Sequence, residues 1–278
     1  MTPNNDGKLS DWLVVSDIDG TLNNKLRKLP ARNEKAIDRF VNLHGGHFTL
    51  ASGRNVASME KHHRRLPIKN TPAIVLNGAG IYDFSKNQML RFRSVSDAGK
   101  EMVVRILREF PSLEAEFCTQ DNILLFNPLI FGPALVRADN LPHKKCKSMD
   151  EILPFDWGKV VLFGPPPLIK KVKQFTKGLN SEEIHTMSSS VVTFELLAAG
   201  THKGEAVLTL AEMLGIQYEH TAAIGDYFND YDMLRSVYLP AACGQAPLEM
   251  HKIAKFHAGH CNKGAVADLI EFIEKKYT

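Results

Sequence analysis

The feature that most constrains this chain is an alternation that breaks off and later resumes. Trp12–Ser16 is a short apolar run that closes on Asp17-Ile18-Asp19-Gly20, which reads as a buried strand and a tight turn. Ala31–Leu43 follows with Ala36, Ile37, Phe40 and Val41 at helical spacing, and Gly45-Gly46 stops it. Phe48–Ala51 and Ala73–Leu76 repeat the strand pattern, and a polar helix between them ends before Pro67. Strands alternating with helices imply a parallel sheet with crossover helices. Near Ile81 the pattern changes to a hairpin over 81–93, a helix from Asp97 to Phe110, and then adjacent strands with few helices. The first alternation resumes at Lys203. Thr221–Ile224 and Tyr238–Ala242 are strands, the latter the last of the core, and Lys263–Tyr277 is a closing helix. The expected fold class is α/β, a doubly wound Rossmann-like parallel sheet with an inserted α+β domain. The expected boundaries are 1–81 and 194–278 for the core and 82–193 for the insertion.

Composition narrows the class of protein. A length of 278 residues suits about two domains. With 44% hydrophobic and 23% charged residues, a sizeable core is available. A net charge of +3 with no clustered basic surface gives no reason to expect a nucleic-acid partner. The run Lys61-His62-His63-Arg64-Arg65 reads as a solvated helix face. Four cysteines without metal or redox spacing suit a reducing compartment. The polar opening MTPNNDGKLS has no signal-peptide core, and no apolar run is long enough to span a membrane, so a cytoplasmic location is the expectation. The oligomeric state is left open.

Three loops that follow core strands carry the chemistry: Asp17, Asp19, Gly20 and Thr21; Ser52 and Gly53; Asp226, Asn229 and Asp230. In an open α/β sheet, ligands bind beyond the carboxyl ends of the strands, so groups far apart in sequence converge there. Asp17 and Asp19 are two apart and start on one side of an extended segment, and Asp226 adds a third carboxylate. Mutually repelling oxygen ligands favour Mg²⁺, and the absence of His and Cys from these loops argues against zinc. A carboxylate that attacks a phosphate dianion works against its charge, at about 4 kcal/mol per pair at about 4 Å and an effective dielectric of about 20. Lys203 opens a helix, where its charge opposes the dipole, so an anionic partner is the economical account. Ser52 reads equally as a helix N-cap, and Asn77 as a turn residue. His251, His257, His260 and Cys261 match no metal-site template.

DIDGTL at 17–22, Ser52 in LASGR, Lys203 in HKGEA, and GDYFND with DML at 225–234 resemble the four motifs of the haloacid dehalogenase superfamily. NGAG at 77–80 and the long insertion resemble its Cof-type branch, which carries a type IIB α/β cap. The resemblance implies a magnesium-dependent phosphatase that acts on a small phosphorylated metabolite, with sugar phosphates favoured, through an aspartyl-phosphate. It implies Asp17 as nucleophile and metal ligand, and Asp19 as general acid, then base, with its carbonyl on the metal. Asp226 becomes a further metal ligand. Ile18, Ser52, Gly53, Lys203 and Asn229 become the phosphate contacts, with Asp230 and Thr21 in support and Asn77 and Arg54 near the substrate. The insertion becomes a mobile cap that selects the substrate. Ser52 stands where threonine is more usual, and CGQA at 243–246 replaces a common MGNA. A sugar-phosphate phosphomutase, a phospho-accepting signalling module and a catalytically silent binder are the alternatives. The intact Asp17/Asp19 pair speaks against the last of these.

Overall fold

A computed structural model describes residues 8–68, 71–139, 141–179, 182–188 and 190–278. Most of the polar opening stretch read above lies outside them. The strands are β1 (Leu13–Ser16), β2 (His47–Leu50), β3 (Ala73–Val75), β4 (Gly80–Asp83), β5 (Gln88–Phe92), β6 (Glu114–Cys118), β7 (Ile123–Phe126), β8 (His143–Cys146), β9 (Lys159–Phe163), β10 (Ile184–Met187), β11 (Thr193–Ala198), β12 (Thr221–Gly225), β13 (Leu239–Ala242) and β14 (Phe256–His257). The helices are α1 (Ala31–Asp38), α2 (Val56–His63), α3 (Asp97–Glu109), α4 (Phe131–Asp139), α5 (Pro166–Gly178), α6 (Lys203–Leu214), α7 (Tyr231–Arg235), α8 (Leu248–Ile253) and α9 (Ala265–Tyr277).

The chain divides into two compact units. The first contains residues up to Arg54, Met59–Leu90 and His202–Thr278, and the second contains Asn55–Ser58 and Arg91–Thr201. The first unit is built on an all-parallel five-stranded sheet in the order β14-β13-β12-β1-β2. Every residue of β1 and β12 is buried, as expected for strands covered on both faces. Val207, Leu210 and Ala211 of α6 pack on Leu13, Val15 and Ala223, and α1 and α9 pack on each other. Each fully buried aliphatic side chain here contributes about 1.5–3 kcal/mol. Arg39 of the π-helical turn that extends α1 makes a two-pronged pair with Glu274 of α9, at 2.8 and 2.7 Å.

Three features differ from the sequence reading. β14 adds a strand beyond β13, so Tyr238–Ala242 is not the last of the core sheet. β3 touches the parallel sheet through the single bridge Ala51↔Ile74 and pairs instead with β4 in a small β3-β4-β5 sheet. Much of the hairpin therefore belongs to the first unit, and the division falls after Leu90 rather than at 82. It falls again after Thr201 rather than at 193, because β11 is paired along its length with β9 and β10.

The second unit is a six-stranded sheet in the order β10-β11-β9-β6-β7-β8, antiparallel except for β7-β8. Val103, Ile106, Ile169 and Val172 of α3 and α5 close one face over Phe117, Val160, Leu162, Phe194 and Leu196. Trp157 joins this core with its ring nitrogen donating to the Ile152 carbonyl, which satisfies its buried polar atom.

Candidate active site

β1 ends at Ser16 and hands the chain to Asp17, whose amide donates to Ile224 on the neighbouring strand β12. The Leu22 amide donates back to the Asp17 carbonyl, and the Asn23 amide to that of Ile18. Asp17 is thus held at the end of a fully buried strand, with 6% of its surface exposed. Gly20 makes the turn possible. Its φ is +86°, and a Cβ there would lie 2.4 Å from Asp226 Oδ2.

Lys203 is 2% exposed, and its ammonium lies 2.6 Å from Asp17 Oδ1 and 2.6 Å from Asp230 Oδ1. As the first residue of α6 it opposes the helix dipole, and the two carboxylates supply the missing stabilisation. Burial works against its charge, but Asp17 and Asp230 outweigh it and raise its pKa above that of an ordinary lysine. Asp230 uses its second oxygen, Oδ2, to accept from the Asp226 amide at 3.1 Å, and Asn229 donates toward Oδ1 at 3.4 Å. Thr21 Oγ1 donates to Asp226 Oδ1 at 3.4 Å.

These contacts bring Asp17, Asp226, Asp230, Lys203, Asn229 and Thr21 into one cluster. Carboxylate oxygens of Asp17, Asp226 and Asp230 lie within 4.8 Å of one another. Burial first, then the Asp230 charge, push the Asp17 pKa up to about 7, with Lys203 opposing. Burial and the Asp17 charge push that of Asp226 up to about 6. One lysine does not balance three acids, so the cluster as it stands favours a cation. The donors are hard oxygens, which suits a divalent metal such as magnesium or calcium rather than zinc. Both Asp230 oxygens are engaged within the protein, so Asp17 and Asp226 are the side chains best suited to hold an ion.

A second group of site residues follows β2 and β3. Ser52 is 6% exposed, and its hydroxyl accepts from the Arg54 amide at 3.4 Å. The Asn77 amide donates to the Ser52 carbonyl and the Leu76 amide to the Arg54 carbonyl, which ties the two loops together. Gly53 lies so close to Asn77 that a Cβ would meet Asn77 Oδ1 at 2.9 Å. Leu76 (φ +54°) and Asn77 (φ +55°) are both left-handed, an uncommon conformation that tends to persist where a site demands it. Arg54 Nη2 donates to Asp19 Oδ2 at 2.8 Å, and the Asp19 side chain is half exposed. Arg54 thus engages the Asp19 carboxylate of its own chain.

One contributor carried no role in the sequence reading. Gln245 donates from Nε2 to the Gly20 carbonyl at 2.5 Å and accepts from the Cys261 amide at 3.1 Å. Its side chain also opposes the rise in the Asp226 pKa. The departure CGQA marked its position, but only the fold brings it to the Asp17–Gly20 turn.

The comparisons place this geometry in a family. The family model of haloacid dehalogenase-like hydrolases matches residues 14–270. A putative phosphatase from Streptococcus pyogenes is 26% identical, over 94% of this chain and 98% of its own length. A 5-amino-6-(5-phospho-D-ribitylamino)uracil phosphatase from Bacillus subtilis is also 26% identical, over 93% of this chain and 96% of its own. The crystal structure of a haloacid dehalogenase-like hydrolase from Bacteroides thetaiotaomicron has the same fold, with a TM-score of 0.83 and 22% identity over 94% of this chain and 99% of that one. The chain belongs to the haloacid dehalogenase-like hydrolases, and it is an enzyme of the Cof-like, capped α/β type within them. No helix among its described residues is long and apolar enough to cross a membrane.

Proposed function

We propose that this chain is a magnesium-dependent phosphatase that hydrolyses a monoester of a small metabolite, with sugar phosphates favoured, through a phosphorylated Asp17. The observation that carries the reading is the buried contact of Lys203 with both Asp17 and Asp230. It fixes a carboxylate at the end of a rigid strand and sets a permanent cation beside it.

An Asp17 oxygen attacks phosphorus, and the bond from phosphorus to the ester oxygen breaks. Asp19 gives its proton to the departing oxygen. Asp19, now ionised, takes a proton from water, the resulting hydroxide attacks phosphorus, and inorganic phosphate leaves with Asp17 restored. Ser52, Gly53, Asn229, Lys203 and the Ile18 amide supply donors for the phosphoryl oxygens, so that most of the rate comes from positioning and charge stabilisation. Asp17, Asp226 and the Asp19 carbonyl would hold a Mg²⁺ ion, whose chemistry would be to supply positive charge against the phosphate dianion. Arg54 orients Asp19, and Asp230 orients both Lys203 and the 226 loop. The second unit selects the substrate, which also separates this reading from a bare phospho-accepting module.

Leaving-group dependence tests the assignment. Asp19→Asn is expected to lower kcat for sugar phosphates by about 10²-fold or more, and much less for an aryl phosphate whose phenol needs little protonation. Equal losses for the two would remove Asp19 from the acid role.

A further inference from the structure

The second unit contains a cavity of about 570 Å³ on the face of its sheet that α3 and α5 cover. All of its described lining belongs to that unit, from α3 and α5 to β10 and β11. It opens for a geometric reason. Six strands spaced about 4.8 Å apart put the outermost two about 24 Å from each other, whereas two helices each about 10 Å wide cover about 20 Å. The uncovered margin falls at β10, the last strand of the sheet. Ile184 and Thr186 of β10 stand opposite Ala198 and Leu196, and so share the face that carries Leu196 and Phe194.

The lining is polar on one side and apolar on the other. Lys173, Thr176 and Lys177 stand at positions i, i+3 and i+4 of α5 and form the polar side. Among the described residues neither lysine has an ion-pair partner. Lys177 is in the last turn of α5, where the helix dipole alone accounts for a cation. Lys173 lies a turn earlier and is half-buried, so its charge has lost water without gaining an acid. Glu182 is the single acid among the described lining residues, so two lysines against one glutamate leave the cavity positive. The hydroxyls of Thr186 and Ser188 have no hydrogen-bond partner among the described residues. Met102, Ile184 and Phe194 supply the apolar wall. A well-packed interior leaves few voids larger than a water molecule, and ligand pockets occupy about 300–1,000 Å³.

We propose that this cavity binds a small organic anion with an apolar body. A carboxylate or phosphate group lies between Lys173 and Lys177, and a ring or branched chain lies against Met102, Ile184 and Phe194. The two ammoniums supply charge-assisted donors, Thr186 and Ser188 supply neutral ones, and the apolar wall takes the rest of the ligand out of water. The site uses none of the groups assigned to phosphoryl transfer, so it stands whether or not the phosphatase reading does.

The test uses the full chain labelled with carbon-13 at its methionine methyl groups, because Met102 and Met187 both line the cavity. Met233 and Met250 are fully buried in the first unit and serve as reference signals. Met102→Leu and Met187→Leu assign the two cavity signals. Phenylacetate and phenylphosphonate are the probes, and phenethylamine is the cationic control. At least one of the anions is expected to shift the Met102 and Met187 signals, with a dissociation constant of about 1 mM or below. Preference for phenylacetate assigns the anionic group as a carboxylate and preference for phenylphosphonate as a phosphate; either supports the site. Lys173→Gln/Lys177→Gln is expected to weaken binding about 10-fold or more, with no fall in melting temperature because no ion pair is lost. Thr186→Trp places an indole in the cavity from an exposed position on the edge strand, and is expected to remove binding with both lysines present. Should Thr186→Trp lower the melting temperature, the lysine variant decides alone. The proposal is overturned if neither anion moves the two signals, or if phenethylamine moves them as far. Undiminished binding in the lysine variant overturns it as well, and so does binding that survives in a well-folded Thr186→Trp.

Discussion

Lys203 is 2% exposed, as the first residue of a helix whose dipole repels it, and it persists there because Asp17 and Asp230 each approach it to 2.6 Å. Removing one partner of such a buried set costs more than the set contributes, since the acids are left without a counter-charge. Lys203→Met is expected to destabilise the fold by about 3–5 kcal/mol. The double variant Lys203→Met/Asp230→Asn should recover part of that loss, and denaturant unfolding of both checks it. If the single variant is as stable as wild type, the lysine is not the cation that the cluster depends on. The acids also set a pH dependence. Asp17 and Asp226 have folded pKa values raised from 3.8 to about 7 and about 6, so over that interval the folded state binds more protons than the unfolded one. The stability this contributes is present at low pH and lost as pH rises through about 6 to 7. The metal-free protein should therefore show a melting temperature that declines from pH 5 to 8 relative to Asp17→Asn/Asp226→Asn. Added Mg²⁺ should raise it more at pH 8 than at pH 5. A slope that is the same in the double variant would dissociate these acids from the effect.

At the scale of elements, the site is a set of loops made rigid by backbone contacts, and its tolerance for side chains follows. Gly78 has φ +102°, and a Cβ there would lie 2.4 Å from the His202 carbonyl and 3.1 Å from the Lys203 amide. Gly78→Ala should therefore displace the start of α6, lowering kcat and destabilising the protein by more than about 1 kcal/mol. Gly178→Ala is the control, because a Cβ there meets nothing within 4 Å. Equal behaviour of the two variants in thermal melts and turnover would contradict the close approach. The elements also show what a sequence discloses. β1, β2, β12 and α6 are legible because local pattern decides them: buried strands read as apolar runs, and α6 as one stripe closed by Gly215, which takes the left-handed C-cap. α4 was not legible. Gly132 and Pro133 are poor helix formers, and the helix starts there because Glu114 on β6 accepts from the amides of Ile130, Phe131 and Gly132 at 2.7–3.0 Å. β14 has two residues, too few to carry a period, and is a strand because β13 lies beside it. Gln245 is the counterpart within the site: its bond to the Gly20 carbonyl joins positions 225 residues apart.

At the scale of the whole molecule, Asp17, Lys203 and the acids of the 226 loop all belong to the first compact unit, although the second unit separates them in sequence. That the chain contains an insertion is legible in the broken alternation. Its limits are not, because a strand pattern does not say which neighbour it pairs with: β4 pairs with β3 in the first unit, and β11 with β9 and β10 in the second. The motif residues converge because parallel strands β1, β2 and β12 all end at the same sheet edge. This arrangement gives the central claim, that the phosphoryl group passes through Asp17. The most direct measurement is to quench the enzyme with acid during turnover of a sugar phosphate, reduce it with borohydride, and map the digested chain by mass spectrometry. An acyl phosphate at position 17 is reduced to the alcohol, so homoserine is expected in place of Asp17, dependent on both substrate and Mg²⁺. Turnover with Asp17 unmodified, or with the reduced residue at another position, would contradict the account.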